Sequence, residues 1–440
     1  MHSMNQLARR LRSVDYFTLG FGTMVGVGWL VVMDDWLERG GPLGAILGFV
    51  IGGVMLLPIG YVYGRLVVAM PDAASEVAYT ARVFRPGVSF ATGWMMMFSY
   101  FVVCPWEAVA VGRIAAYIVP QLDSIELYRI AGQPVYLPHL ILGLALTVII
   151  AAINYRGIRM SAAFQNWTTF GLLVLFLVFA SAGLARGSAS NLSPSFSHSG
   201  LISVLLVLQI VPYFMEGFES IPKCVEEASP EFRPGGFLRA MIAAIIAGIV
   251  FYSVIIAVVA YVYPWQPLSR QKFATAFAFE HALRGRWVVD TILFAALLSL
   301  SKVFNGNFVA ATRLLFALGR RKLIDRRAAR VHEVNQTPSV AVLSLGVLTA
   351  AALLLGDSIL VPITEVGSVA SAVGWLGACA SYFVMERNHR ERVISAVGIL
   401  VASSLIAMKV FPFVPGHFTR YEWIALAIWM VMGIALKREG

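Results

Sequence analysis

Charge is scarce in this chain of 440 residues: Asp, Glu, Lys and Arg make up 13% of it, about half of what a soluble domain carries. Hydrophobic residues fill 59%, more apolar surface than a water-soluble interior can hide. The solvent must therefore be a lipid bilayer. Cysteine is nearly missing. Cys104, Cys224 and Cys379 are too few for a disulfide framework and match no metal-site spacing, so neither a metal nor a cofactor is expected. The seven histidines fall almost wholly in loops and tails, which leaves a membrane enzyme without a catalytic cluster. Neither a Walker motif nor a stretch of soluble-domain composition occurs, so ATP hydrolysis and a signalling domain are not expected. The formal charge of +10 is spread between apolar runs rather than gathered into one patch, which argues against a nucleic-acid partner. Met1–Arg12 is polar and basic and lacks the apolar core of a secretory signal. The first apolar segment is thus expected to be retained.

What is present is a succession of apolar runs of the roughly 20 residues that a membrane helix needs. They fall at 17–36, 42–65, 91–119, 137–154, 160–184 and 200–222, then at 237–263, 287–318, 339–356, 359–385, 393–411 and 421–436. These segments predict an all-α membrane protein of about 12 transmembrane helices, in one integral domain over 1–440. Residues 66–90 carry Arg82, Arg85 and two prolines and predict an amphipathic segment lying on the membrane surface. The stretch 264–286 has room for a short surface helix. Lys and Arg set the orientation. One set of loops holds Arg9, Arg10, Arg12, Arg82, Arg85, Arg156, Arg159, Arg320, Arg321, Lys322 and Arg438. The opposite set holds fewer, among them Arg129, Arg186, Arg270 and Arg420. Both termini are therefore expected in the cytoplasm, which agrees with an even number of spans.

Two of the runs are poor helices. The first contains Gly20, Gly22, Gly26 and Gly28, each costing up to about 1 kcal/mol relative to Ala. The sixth contains Pro212, Glu216, Gly217, Glu219 and Pro222. Unwound backbone at membrane depth is tolerated only where protein buries it or a watery cavity meets it. Glycines alone would fit close helix packing equally well. Breaks in the first and the sixth span, corresponding members of two five-helix halves, point instead to a transporter with inverted repeats and a site near the midplane. Half-helices expose N–H groups at a positive dipole end, suited to a carboxylate, and free carbonyls suited to an ammonium.

The run Gly22-Thr23-Met24-Val25-Gly26-Val27-Gly28 resembles the first-helix motif of the amino acid–polyamine–organocation (APC) permeases. Gly217-Phe218-Glu219-Ser220, followed by Glu226-Glu227, resembles the sixth-helix signature of that family. Met70-Pro71-Asp72-Ala73 with Tyr79 and Arg82, Gly93-Trp94, Asn154-Tyr155-Arg156-Gly157 and Arg313 with Ala317-Leu318-Gly319-Arg320 match as well, in order, from about residue 14 to 436. The chain departs from the pattern at Ala74-Ser75, where the family has Gly-Gly, and at Val27, where a small or hydroxyl residue is common. It also lacks the fifth-helix lysine of many relatives, with Leu172 or its neighbours in that place.

The resemblance implies a LeuT-type fold of five-plus-five inverted repeats, the first over about 14–184 and the second over about 200–385, with two additional helices. It implies a secondary transporter of the cell membrane that moves an amino acid or related organic amine by alternating access, with proton-coupled uptake as the leading mechanism. An exchanger, or an amine sensor that moves nothing, remains the alternative. The implied partners are the small-molecule substrate, protons and the lipid bilayer.

The implied substrate site takes Thr23, Met24, Gly26, Val27 and Gly28 from the first break and Tyr213, Phe214, Glu216 and Gly217 from the sixth, with Cys104 and Asn307 beside them. Trp29 and Tyr213 could serve as lids, and Asn305 either lines the cavity or bonds between helices. Glu219 reads either as a proton carrier or as a carboxylate bonded to the freed backbone N–H groups. Glu216 reads either as a counter-charge for a cationic substrate or as the partner of a nearby basic residue. Glu107 reads as half of a structural ion pair with another helix. Lys302 lies near the eighth-helix position where sodium-coupled members of the fold hold a cation, so an ammonium there could stand in for the ion and carry the proton. Pairing with Glu219, Glu216 or Glu107, or snorkelling to the interface, is the competing reading.

Overall fold

A computed structural model describes residues 7–438 except Ala131, Lys272 and Arg284, and leaves aside the side chains of Arg286 and residues 357–364. The chain is a bundle of helices. In order they are α1 (Ser13–Met24), α2 (Gly28–Val31), α3 (Met33–Ala69), α4 (Glu76–Ala81) and α5 (Pro86–Ile118). A hairpin of β1 (Glu126–Ile130) and β2 (Gln133–Tyr136) follows, then α6 (Leu137–Arg156), α7 (Ile158–Arg186), α8 (Gly200–Leu208), α9 (Val211–Met215) and α10 (Ser220–Lys223). The rest comprises α11 (Gly235–Val262), α12 (Trp265–Leu268), α13 (Ala274–Leu283), α14 (Arg286–Arg320), α15 (Ser339–Leu353), α16 (Gly356–Met385), α17 (His389–Val410) and α18 (Arg420–Leu436).

Among the described residues nine helical stretches are long and apolar enough to cross a membrane, so the protein is multi-pass. Of the expected segments, the sixth is divided into α8, α9 and α10, while α15 and α18 run to 15 and 17 residues. The all-α expectation misses the antiparallel hairpin, in which Ile130 pairs with Gln133 across a turn that holds Gly132 at φ 82°. Apolar runs alone carry no signal for so short a ribbon.

Both expected breaks are present. The first helix stops at Met24, and Val25 turns extended (φ −89°, ψ 94°) before α2 resumes at Gly28. The sixth stops at Met215, where Glu216 is extended (φ −69°, ψ 154°), and resumes at Ser220. Gly217 sits at φ 132°, and a Cβ on it would stand 2.6 Å from the Met24 nitrogen. Only glycine lets the two unwound stretches pass this closely.

Two surface assignments need correction. Glu76–Thr80, expected on the membrane surface, is fully or almost fully buried. Its charge is accommodated because Glu76 pairs with Lys223 and accepts the Tyr63 hydroxyl at 2.6 Å. The helix expected within 264–286 forms as α13, yet Ala274, Thr275, Ala276, Ala278 and Phe279 are buried. It plugs one end of the bundle rather than lying on it, held by the Thr275 hydroxyl donating to the Trp29 carbonyl.

At the opposite end, charged residues lace the chain together. Arg313 grips Glu227 with two bonds of 2.9 and 3.1 Å, both side chains fully buried. Arg320 reaches Glu226 and Asp72, and Arg321 reaches Asp72 at 2.7 Å. The last helix is fastened differently. Trp94 of α5 and Trp429 of α18 stack with centroids 4.5 Å apart, and each indole N–H donates to the other residue's carbonyl, at 2.9 and 3.0 Å.

Candidate substrate site

The two breaks open onto one narrow cavity. Its lining is Thr23, Met24, Gly26, Val27 and Gly28 from the first break, Tyr213, Phe214 and Glu216 from the sixth, Val103, Trp106 and Glu107 from α5, and Val303 and Asn307 from α14. The sequence-based set therefore converges here with the exception of Gly217 and Cys104. Gly217 packs behind, against Met24. Cys104 is buried with its thiol directed to the Tyr100 carbonyl at 3.5 Å and does not belong to the lining. Trp29, read as a possible lid, is buried beside α13 and lies outside the lining.

Backbone polarity concentrates at the first break. The Gly26 and Val27 N–H groups lie outside any helix and make no backbone bond among the described residues. The carbonyls turn toward α14: the Ser299 hydroxyl lies 2.7 Å from the Gly26 oxygen, and the Lys302 ammonium reaches the Gly22 oxygen at 3.2 Å and the Val25 oxygen more closely. Lys302 is completely buried, 5.8 Å from the Phe21 ring centroid. It neither snorkels nor forms an ion pair among the described residues. Carbonyl oxygens here coordinate an ammonium as they would a monovalent cation.

The three carboxylates have separate fates. Glu219 accepts the Gly217 N–H at 2.9 Å across the sixth break, the backbone-bonded arrangement, and does not line the cavity. Glu216 lines it, accepts the Ser371 hydroxyl through Oε2 and leaves Oε1 without a partner. No basic side chain bonds it among the described residues. Glu107 departs from the expected ion pair. It is 2% exposed, faces the cavity and has no partner at Oε2. The i,i+6 spacing from Arg113 suggested a partner on a distant helix, whereas the first break supplies backbone beside it: a Cβ on Gly26 would lie 3.1 Å from Glu107 Oε1.

Asn305 bonds between helices, accepting from Asn154 at 2.9 Å and Ser161 at 3.0 Å and donating to Gln165 at 2.8 Å. Asn307 faces the cavity, with Oδ1 unpartnered. Val103, Trp106 and Val303 belong to the lining without having been singled out from sequence. Their signal was only the helical period through Glu107 and Asn307.

A family model described as amino acid permease matches residues 11–435, almost the whole chain. This chain is an amino acid permease family member. The permease is 23% identical to the Bacillus subtilis amino-acid permease RocE over 403 residues, covering 88% of this chain and 82% of the relative. It is 24% identical to the methylthioribose transporter of the same organism, covering 97% and 92%. To the lysine-specific permease LysP of Lactococcus lactis it is 23% identical, covering 93% and 81%. The family and these relatives are transporters, and amino acid transport is the activity they support for the permease. The substrates in the names of these relatives differ widely, so the shared fold does not fix the cargo.

Proposed function

We propose that the permease is a proton-driven secondary transporter of the cell membrane that takes up an amino acid or related organic amine by alternating access. The observation that carries this reading is the meeting of both helix breaks at one cavity, backed by a buried ammonium bound to the carbonyls of the first break. The proposed architecture is the LeuT-type arrangement of twelve spans: repeats over about 14–184 and 200–385, two further helices over 393–436, and both termini cytoplasmic.

Substrate binds to the main-chain groups of Thr23–Gly28 and of Tyr213–Gly217, with Glu216 and Asn307 adding side-chain contacts. Close approach to that backbone requires the missing Cβ at Gly26. In the conformation described, the cavity measures about 20 Å³ for the centre of a water. That is room for one water and no amino acid, so loading requires the breaks to move apart, as alternating access demands.

Lys302 is the coupling residue. Protonated, its ammonium ties α14 to the carbonyls of Gly22 and Val25. Deprotonated, it loses the charge and one donor, and the tie weakens. Glu219, bonded across the sixth break, is the second candidate carrier.

The test is uptake of a labelled amino acid and amine panel into proteoliposomes, with an imposed pH gradient, a sodium gradient or neither. Accumulation driven by the pH gradient and indifferent to sodium supports the proposal. Strict sodium dependence overturns the coupling assignment, and absence of any gradient-driven accumulation overturns the transport reading.

A further inference from the structure

The cavity is lined by acceptors that lack donors. Four oxygens around it are buried without a hydrogen-bond partner among the described residues: Glu107 Oε2, Glu216 Oε1, Asn307 Oδ1 and the Thr23 hydroxyl. Three of the four can only accept, and native interiors rarely leave such groups unmet. No Lys or Arg belongs to the lining. Whatever fills the cavity must bring hydrogen-bond donors, and ammonium groups supply them together with charge.

Charge counting sharpens the requirement. Around the two breaks Glu76, Glu107, Glu216 and Glu219 are buried, and among the described residues the buried ammonium groups beside them are Lys223 and Lys302. Lys223 is committed to Glu76, and Lys302 to the carbonyls of Gly22 and Val25. Four buried carboxyl groups thus stand beside two ammonium groups, of which Lys302 also acts electrostatically on Glu107. The two carboxylates facing the cavity stand on different elements, Glu107 on α5 and Glu216 at the sixth break, and both act electrostatically on Tyr213 of the lining.

A ligand carboxylate is disfavoured by the same geometry. The Gly26 and Val27 N–H groups would be its natural seat, yet Glu107 Oε1 already lies alongside Gly26 and the Gly26 N–H faces the Tyr252 hydroxyl. A second carboxylate there would meet a like charge in a setting of low dielectric.

We propose that the ligand is a small dication without a carboxylate, an α,ω-diamine whose ammonium groups engage Glu107 and Asn307 at one end and Glu216 at the other. The proposal rests on the cavity being the transport site and selects the amine over the amino acid.

Purified full-length permease in lipid nanodiscs is titrated calorimetrically with 1,4-diaminobutane, 1,5-diaminopentane, 1-aminobutane, L-ornithine, L-lysine and L-leucine. The expected result is diamine binding at least tenfold tighter than the monoamine and than either basic amino acid. Glu107→Gln and Glu216→Gln, nearly isosteric, are each expected to cost tenfold or more for the diamines and little for 1-aminobutane. Equal or tighter binding of ornithine, lysine or leucine overturns the proposal, as does unchanged diamine affinity in Glu107→Gln. The comparison within the unmodified protein stands even if a variant fails to fold. Proteoliposome accumulation of an amino acid without diamine competition would sink this inference while leaving the transport reading intact. Diamine binding without accumulation of any compound would do the reverse.

Discussion

Gly26 carries two burdens at once, as backbone that a ligand must approach and as the neighbour of Glu107. A leucine there would fill the cavity and push against the carboxylate. Gly26→Leu should therefore abolish ligand binding in calorimetry while the protein remains monodisperse on size exclusion. Lys302→Ala separates binding from coupling: the variant should still bind ligand but lose pH-driven accumulation in proteoliposomes, because the ammonium holding Gly22 and Val25 is gone. At this scale the sequence was most legible where an unusual residue interrupts a run. Thr23, Met24, Gly26, Val27, Gly28, Tyr213, Phe214, Glu216 and Asn307 meet at the cavity, and they could be found because helix breakers and polar groups stand out against apolar surroundings. Glu107 was visible as a buried charge but not in its role. Its neighbour is the main chain of Gly26, far away in sequence, and spacing along one helix cannot reveal such a contact.

Among the elements, the short α10 and the loop after it join the charge-laced end of the bundle. Arg313 and Glu227 are bonded twice in full burial. Removing one partner leaves the other charge uncompensated, a loss of about 3–5 kcal/mol. Arg313→Ala should thus lower the thermal unfolding midpoint far more than replacing both partners with apolar residues of similar volume. The breaks themselves were readable from Gly and Pro. The burial of α4 was not, because charge content suggested a surface and the pairing that permits burial, Glu76 with Lys223, links positions far apart in the chain. The hairpin Glu126–Tyr136 escaped for a different reason: its two strands are too short for a period to register.

For the whole molecule, the charged end acts as a clasp joining the loop after α3, the loop after α10 and the end of α14. Asp72 is its hub. Burial alone would raise its pKa, but the Ala74 N–H and the guanidinium groups of Arg321 and Arg320 outweigh that and hold it below the ordinary carboxylate value. A carboxylate depressed on folding stabilises above its unfolded pKa, about 3.9, and that contribution is lost as pH falls through the folded value. Unfolding midpoints of the solubilised protein should accordingly drop as pH falls below about 4, and Asp72→Asn should flatten that slope. That the chain crosses a membrane several times was legible from composition, since each apolar run is local, whereas the assembly of these runs around two interruptions depends on contacts that no local run encodes.

The paired indoles of Trp94 and Trp429 have an optical consequence. Two transition dipoles stacked at 4.5 Å couple as an exciton and split the aromatic circular dichroism into a couplet of opposite signs. That signal originates at the junction of α5 and α18 and requires no label. Trp429→Phe should erase it, and in the unmodified permease its amplitude during transport would report whether the last helix travels with α5 or stays still while the breaks move.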